Sequence, residues 1–210
     1  AITVPAAGEV LIGENFDFTL TFSNPGDDGY GPYIDLFLPL GADDDDGVTV
    51  NGITYLGSPV NYQVITLNSS GTHDHPYFRD TSNQPGTITG EPGQRVVVIE
   101  LPFGSYTSGQ PAAELQVTAS LSSHADRDAP LDIAARAGFR YGHTPTADYA
   151  TDPSVDGALV TASITPVLVE YTHTFNGPEG ETATGPNFRR EMTTTITVAP
   201  GQELENYVFT

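Results

Sequence analysis

The sequence predicts an all-β protein, folded as an antiparallel β-sandwich. Three observations predict it. Short runs such as "ENFDFTLTFSN" alternate apolar and polar residues with a period of two, the pattern of a half-buried strand. Gly (22) and Pro (17) punctuate these runs without a collagen-like period, as tight turns require. No segment keeps a helical period over a useful length. The 210 residues are 38% hydrophobic and include ten Phe and ten Tyr, enough for a core and too many for a disordered chain.

In the first run Phe16, Phe18, Leu20 and Phe22 form one face, against Asp17, Thr19, Thr21 and Ser23 on the other. The turn "NPGDDGYGP" ends it. In "YIDLFLPLG", Ile34, Leu36 and Leu38 oppose Tyr33, Asp35 and Phe37; two apolar faces indicate a central strand. "ITYLGS", "NYQVITL", "QRVVVIELPFG", "AELQVTASLSS" and "LDIAARAGFRYG" repeat the grammar, rich in β-branched and aromatic residues between turn formers. Leu115, Val117, Ala119 and Leu121 make one inward stripe. Ile133, Ala135, Ala137, Phe139 and Tyr141 make another, with Arg136 and Arg140 on the opposite face. Ala and Arg would also suit a helix there, but the alternation of the arginines favours a strand. Many short strands with regular turn signals indicate a sandwich.

A first domain over residues 1–165 is expected, with 166–210 opening a second β module. "LVEYTHTF" reads as its first strand, "REMTTTITVAPGQ" parallels "ENFDFTLTFSNPG", and "LENYVFT" begins a third. This segment is too short to bury a core alone. Its strands are therefore expected to dock on the first domain or on a neighbouring chain. The weak internal repeat suggests a tandem array.

"ITVPAAGEVLIGENFDFTLTFSNPGDDGYGPYIDLFLP" resembles the opening of Ig-like modules in very large, adhesin-like bacterial surface proteins. "EPGQRVVVIELPFGSYTSGQPAAELQVTASLS" and "YTHTFNGPEGETATGPNFRREMTTTITVAPGQELENYVFT" are similar to segments of the same proteins. The resemblance rests on strand and turn grammar, without a catalytic signature. It implies an Ig-like antiparallel β-sandwich, at the cell surface, with roles in adhesion, spacing or filament building. Its implied partners are neighbouring modules of the same protein or like subunits, and a surface glycan or protein. Some such modules carry lysine–asparagine crosslinks; this chain has no lysine and cannot form one. A threonine–glutamine ester is chemically open, but no spacing nominates a pair.

Charge narrows the environment. Twenty-seven acidic residues face seven basic ones, all arginine (Arg79, Arg95, Arg127, Arg136, Arg140, Arg189, Arg190), for a formal net charge of −20. Such a surface repels nucleic acid and anionic membranes and attracts cations. The absence of cysteine removes disulfides and thiolate chemistry. No apolar run approaches the roughly 20 residues of a membrane-spanning helix, so direct insertion is not expected. The start at "AITVPAAGEV" reads as a piece cut from a longer precursor.

Calcium is the expected cofactor, because it takes six to eight oxygen ligands from loops rich in Asp, Asn and Gly. The candidate ligands are Asp27 and Asp28, then Asp43, Asp44, Asp45 and Asp46, then Asp126 and Asp128; Asp148, Asp152 and Asp156 form a further acidic stretch. The helical calcium-loop motif is not met at 42–53, where Ala42 and Ile53 occupy ligand positions. Any site must therefore combine loops. His73 and His75 would share a face in a strand and could hold a transition metal with a third ligand. Gly71 and Pro76 favour a polar loop instead. Asp35 and Glu100 stand in apolar strands, and each is expected to point outward or to pair with Arg136 or Arg140. No hydrolase elbow, phosphate loop or metalloprotease helix occurs, so an enzyme is not expected. Tyr30, Tyr33, Tyr77, Tyr106 and Tyr149, read as loop residues, could stack on sugar rings, although packing at the sandwich edge is the better reading. The Asn68 sequon carries no weight in a bacterial chain.

Overall fold

The computed structural model describes residues 1–5, 8–41, 43, 46–144, 148–176, 191–203 and 205. They contain seventeen strands and no α-helix. In chain order the strands are β1 (Ile2–Thr3), β2 (Glu9–Leu11), β3 (Asn15–Phe22), β4 (Gly29–Phe37), β5 (Val48–Tyr55), β6 (Ser58–Pro59) and β7 (Tyr62–Thr66). There follow β8 (Thr72–Arg79), β9 (Pro85–Thr89), β10 (Arg95–Glu100), β11 (Ser105–Tyr106) and β12 (Ala113–Leu121). The chain continues through β13 (Leu131–Tyr141), β14 (Val155–Asp156), β15 (Val160–Val167), β16 (Val169–Asn176) and β17 (Glu191–Val198).

Two sheets face each other. One has the order β1-β3-β12-β5-β6. The other has the path β2-β15-β13-β4-β10-β7, with β11 and β14 attached to β4 and β13. Among the described residues all pairings are antiparallel except β2 with β15. The inward stripes read from the sequence meet between the sheets: Phe16, Phe18, Leu20 and Phe22 with Leu115, Val117, Ala119 and Leu121 from one side, and Ile34, Leu36, Ile133 and Ala135 from the other. Each fully buried side chain of this size contributes roughly 1.5–3 kcal/mol. The alternation in β3 and β12 is therefore the sequence signature of this core.

Strand β4 is central, paired with β13 and β10, and both its faces are covered. The second covering comes from the β8–β9 hairpin, which lies on the outer face of the larger sheet. A second apolar cluster forms there from Ile88, Phe37, Ile65, Leu67, Val96 and Val98. This corrects the reading of "THDHPYFRD" as a polar loop: it is strand β8, with a bulge between Asp74 and Arg79 that accommodates Pro76. The sequence also gave no sign of β9. Gly86 permits the close contact there, since a Cβ would lie 2.4 Å from the Phe78 ring.

Beyond β15, β16 and β17 form a two-stranded sheet. Its root is held by the sandwich: Ala199 is buried in the main core and Leu168 packs against it. The Ala199 amide donates to the Leu168 carbonyl at 2.8 Å. The third strand read at "LENYVFT" lies outside the described residues apart from Glu205.

Candidate functional site

The most concentrated polar chemistry lies between β4, β13 and the β8–β9 hairpin. Asp35 is fully buried in β4, facing away from the main core. Register places Arg136 of β13 directly opposite it. Arg136 Nε donates to Asp35 Oδ2 at 2.8 Å, the cross-strand pairing the sequence suggested. From the hairpin, His75 brings Nε2 to 3.0 and 3.2 Å from the two oxygens of Asp35.

The other nitrogen of His75 fixes its tautomer. Nδ1 accepts from the backbone amides of Tyr77 (2.9 Å) and Phe78 (2.7 Å), so its lone pair is used and the proton sits on Nε2. His75 is a neutral donor to the Asp35 carboxylate. A His–Asp pair of this kind orients the base of catalytic triads, but there the second nitrogen faces a nucleophile. Here it faces two amides and is 1% exposed, so it serves the hairpin bulge and does not transfer protons.

The cluster extends along the sheet. Arg136 Nη1 lies 3.4 Å from Asp156 Oδ2. Asp156 Oδ1 accepts from the Tyr33 hydroxyl at 2.5 Å. Gly138 makes room, because a Cβ there would come within 2.5 Å of the Tyr33 ring carbon and hydroxyl. Burial pushes the Tyr33 phenol well above its ordinary value, and the Asp156 charge pushes it further. Nearby, Ser154 ties the end of the hairpin down: its hydroxyl accepts from the Arg79 amide (2.8 Å) and donates to the Arg140 carbonyl (2.8 Å).

The predicted calcium ligands do not converge among the described residues, where no three His, Asp or Glu side chains are grouped around a common point. Asp27 and Asp28 are exposed. Asp126 and Asp128 lie in an exposed turn, where Asp128 pairs with Arg127 at 2.9 Å. Asp152 is buried and accepts from the amides of His143 (2.8 Å) and Thr144 (2.5 Å) and from the Thr144 hydroxyl. Burial alone would raise its carboxyl; the Thr144 and His143 hydrogen bonds outweigh it and hold it below the ordinary range.

In the tetra-aspartate tract, Asp43 is exposed, and Asp44 and Asp45 lie outside the described residues. Asp46 is 3% exposed, and its Oδ2 is buried without a hydrogen-bond partner among the described residues. Gly41, at φ +83°, presses against it: a Cβ on Gly41 would sit 2.3 Å from that of Asp46.

The aromatic residues are packed. Tyr33 and Tyr106 are buried, Tyr149 is buried and stacks on Tyr141 with centroids 5.0 Å apart, and Tyr30 and Tyr77 are half-buried. Tyr30, Tyr33, Tyr77 and Tyr106 lie on strands rather than loops. Sequence reasoning missed His75 as the partner of Asp35. The signal was the lone aspartate in an apolar run, which needs donors on whichever face it occupies.

No protein-family model matches the chain, and no curated protein matches it. One similar solved structure is that of AvmM, which catalyses macrocyclization in alchivemycin A biosynthesis (TM-score 0.44, 14% identity, covering 86% of this chain and 90% of that one). Another is BcpA, the major pilin subunit of Bacillus cereus (TM-score 0.42, 9% identity, covering 95% of this chain and 56% of that one). A third is the C-terminal fragment of a major pilin of Streptococcus agalactiae (TM-score 0.40, 15% identity, covering 86% of this chain and 59% of that one). The chain thus spans little more than half the length of these two pilin chains. At such scores and identities the likenesses carry no argument about activity.

Replacing Asp35 with Ala leaves Arg136 and His75 without their carboxylate and is expected to cost about 3–5 kcal/mol in denaturant unfolding. The double change Asp35→Leu with Arg136→Met is expected to cost less than Asp35→Ala alone, because no guanidinium is left stranded; an equal or greater loss would contradict this account. The pH profile has two limbs. Asp152 has a folded value below its unfolded one, so its contribution is present above about pH 4 and is lost as pH falls through the folded value. Tyr33 has a folded value above its unfolded one, so its contribution is present below about pH 10 and is lost as pH rises further. Urea midpoints from pH 2.5 to 11 are expected to show Asp152→Asn flattening the acid limb and Tyr33→Phe the alkaline one.

Proposed function

We propose that this chain is a structural or adhesive module of a bacterial surface protein, working outside the cell and without catalysis. The observation that carries this reading is the mutual pairing of the ionic cluster around the buried Asp35. Asp35, Arg136, His75, Asp156 and Tyr33 spend their donors and acceptors on one another and on backbone amides. Groups arranged in this way lock the hairpin onto the larger sheet and turn no base or nucleophile of the cluster toward a substrate. The acid-rich, lysine-free composition supports a cation-rich setting, and the surface-protein resemblance of the sequence points the same way.

Calcium is the cofactor this reading favours, at the loop that ends in Asp46. A buried carboxylate oxygen with no donor among the described residues suits a cation, and Asp46 would supply it as one ligand. Oxygens from another loop would complete the shell. The ion would supply charge neutralisation and stiffness, not chemistry.

The location is tested with an antibody against the chain on intact cells of its source. Labelling of unpermeabilised cells is the expected result; labelling only after permeabilisation would overturn the assignment. Calcium is tested by thermal unfolding. Adding millimolar calcium is expected to raise the Tm of the wild-type chain by several degrees, and Asp46→Asn is expected to remove most of that rise. A melt unaffected by chelation and by calcium would sink the cofactor.

A further inference from the structure

The charge of this chain is unevenly spread along it. Although 16% of its residues are charged, residues 47–72 contain no Asp, Glu, Lys or Arg. These residues build one flank of the sandwich. The chain runs down β5, makes the short edge strand β6, crosses at Val60 and Asn61, and becomes β7, the edge of the other sheet. Edge strands are ordinarily protected from pairing by charged side chains, prolines or bulges. Pro59 protects β6. Strand β7 has none of these devices.

The register of β7 shows what it leaves open. The Glu100 amide donates to the Asn61 carbonyl and the Leu67 amide to the Gln94 carbonyl, so residues 61, 63, 65 and 67 face β10. The N–H and C=O groups of Tyr62, Val64 and Thr66 therefore turn to the free edge. Among the described residues β7 pairs with β10 alone. The side chains of Tyr62 and Val64 are exposed, Val64 by 51%.

A second uncharged stretch covers residues 192–202, which include nearly all of β17. The Ala199 amide bonds to the Leu168 carbonyl, so Leu168 and Ala199 form a hydrogen-bonded pair, and the alternation turns the backbone groups of Met192, Thr194, Ile196 and Val198 away from β16. Strand β17 pairs with β16 alone among the described residues. Among the described residues, β7 and β17 thus each leave one strand edge unpaired and free of charge.

We infer that β17 of one copy adds to the free edge of β7 in a second copy, as an antiparallel strand that extends the larger sheet. The register that matches the two edges sets Val198 against Tyr62, Ile196 against Val64 and Thr194 against Thr66. Each is a pair bonded through the outward backbone groups, and each puts its side chains on a common face. A second copy is the favoured occupant because both edges lie in the neutral windows of a molecule with a net charge of −20. They are the places where two copies meet with least repulsion between facing charges. The contact is heterologous, donor to acceptor, so a copy joined through one edge keeps its other edge available, and assembly extends beyond a pair as a ring or an open chain.

This inference rests on the structural role proposed above, but it is read by a different measurement. Sedimentation velocity of the full 210-residue chain at rising concentration is expected to show species beyond the dimer. Assembly should strengthen from 0.1 M to 1 M NaCl, as screening shortens the Debye length from about 10 to about 3 Å. Val64→Pro removes an outward amide on β7, and Ile196→Pro removes one on β17. Val64→Asp and Ile196→Asp repeat the test without changing the backbone, and unchanged Tm values identify the folded variants. Each folded variant alone is expected to stay monomeric, while a β7 variant mixed with a β17 variant forms a one-to-one complex and nothing larger. A wild-type chain that stays monomeric throughout would overturn the inference. So would a single variant that still assembles, or a mixture that stays monomeric. Cell-surface labelling could succeed in any of these cases, so failure here leaves the module assignment standing.

Discussion

A carboxylate buried in the middle of a central strand is the constraint on which this structure turns. Asp35 cannot be left alone in an apolar layer, because an uncompensated charge there costs far more than a hydrophobic side chain gains. It is satisfied from two directions, by Arg136 across the sheet and by His75 from the hairpin above. The first contact selects the β4–β13 register in which residue 35 meets residue 136. The second seats β8 on the outer face. A slip of one residue would turn Asp35 into the main core and face Arg136 away. The ionic cluster therefore contributes specificity of arrangement more than stability.

Around that constraint the apolar layers divide the work. The main core between the two sheets is large and built from alternating strands. The outer cluster under the hairpin is smaller and depends on Ile88 and on side chains from β4, β7 and β10. Val96 and Val98 belong to the outer cluster, while Val97 and Ile99 belong to the main core. This explains why "RVVVIE" is apolar at consecutive positions. The strand has no wet face, so it has no alternation.

The same physics decides what could be read in advance. Strands β3 and β12 have one face in the core and one in water, so their alternation was plain in the sequence. Arg136 and Arg140 likewise marked the outward face of β13. The β8–β9 hairpin was hidden, because Pro76, the histidines and the glycines near it read as turn chemistry, and the pairing of β8 with β9 and its contact with Asp35 are tertiary features that no local pattern announces. Asp35 itself was legible as an anomaly, and its pairing with Arg136 followed from cross-strand reasoning. His75 was not, since its partner lies 40 residues away in the chain. The tetra-aspartate tract stood out in the sequence, yet its character is not uniform: Asp43 is exposed while Asp46 is buried. Composition alone cannot separate neighbours that turn in opposite directions at a loop end.

The parallel pairing of β2 with β15 has a mechanical consequence. Strand β2 runs alongside β15, with Glu9, Val10 and Leu11 opposite Thr165, Pro166 and Val167, and the Ile12 amide continues the contact to the Val167 carbonyl. Tension applied ahead of Glu9 and beyond Val167 pulls these two strands in opposite directions along their own axes. Their hydrogen bonds are then loaded together in shear, not opened one after another as in a peeled hairpin. The ladder is short, but the root of the β16–β17 hairpin is anchored beside it through Leu168 and Ala199.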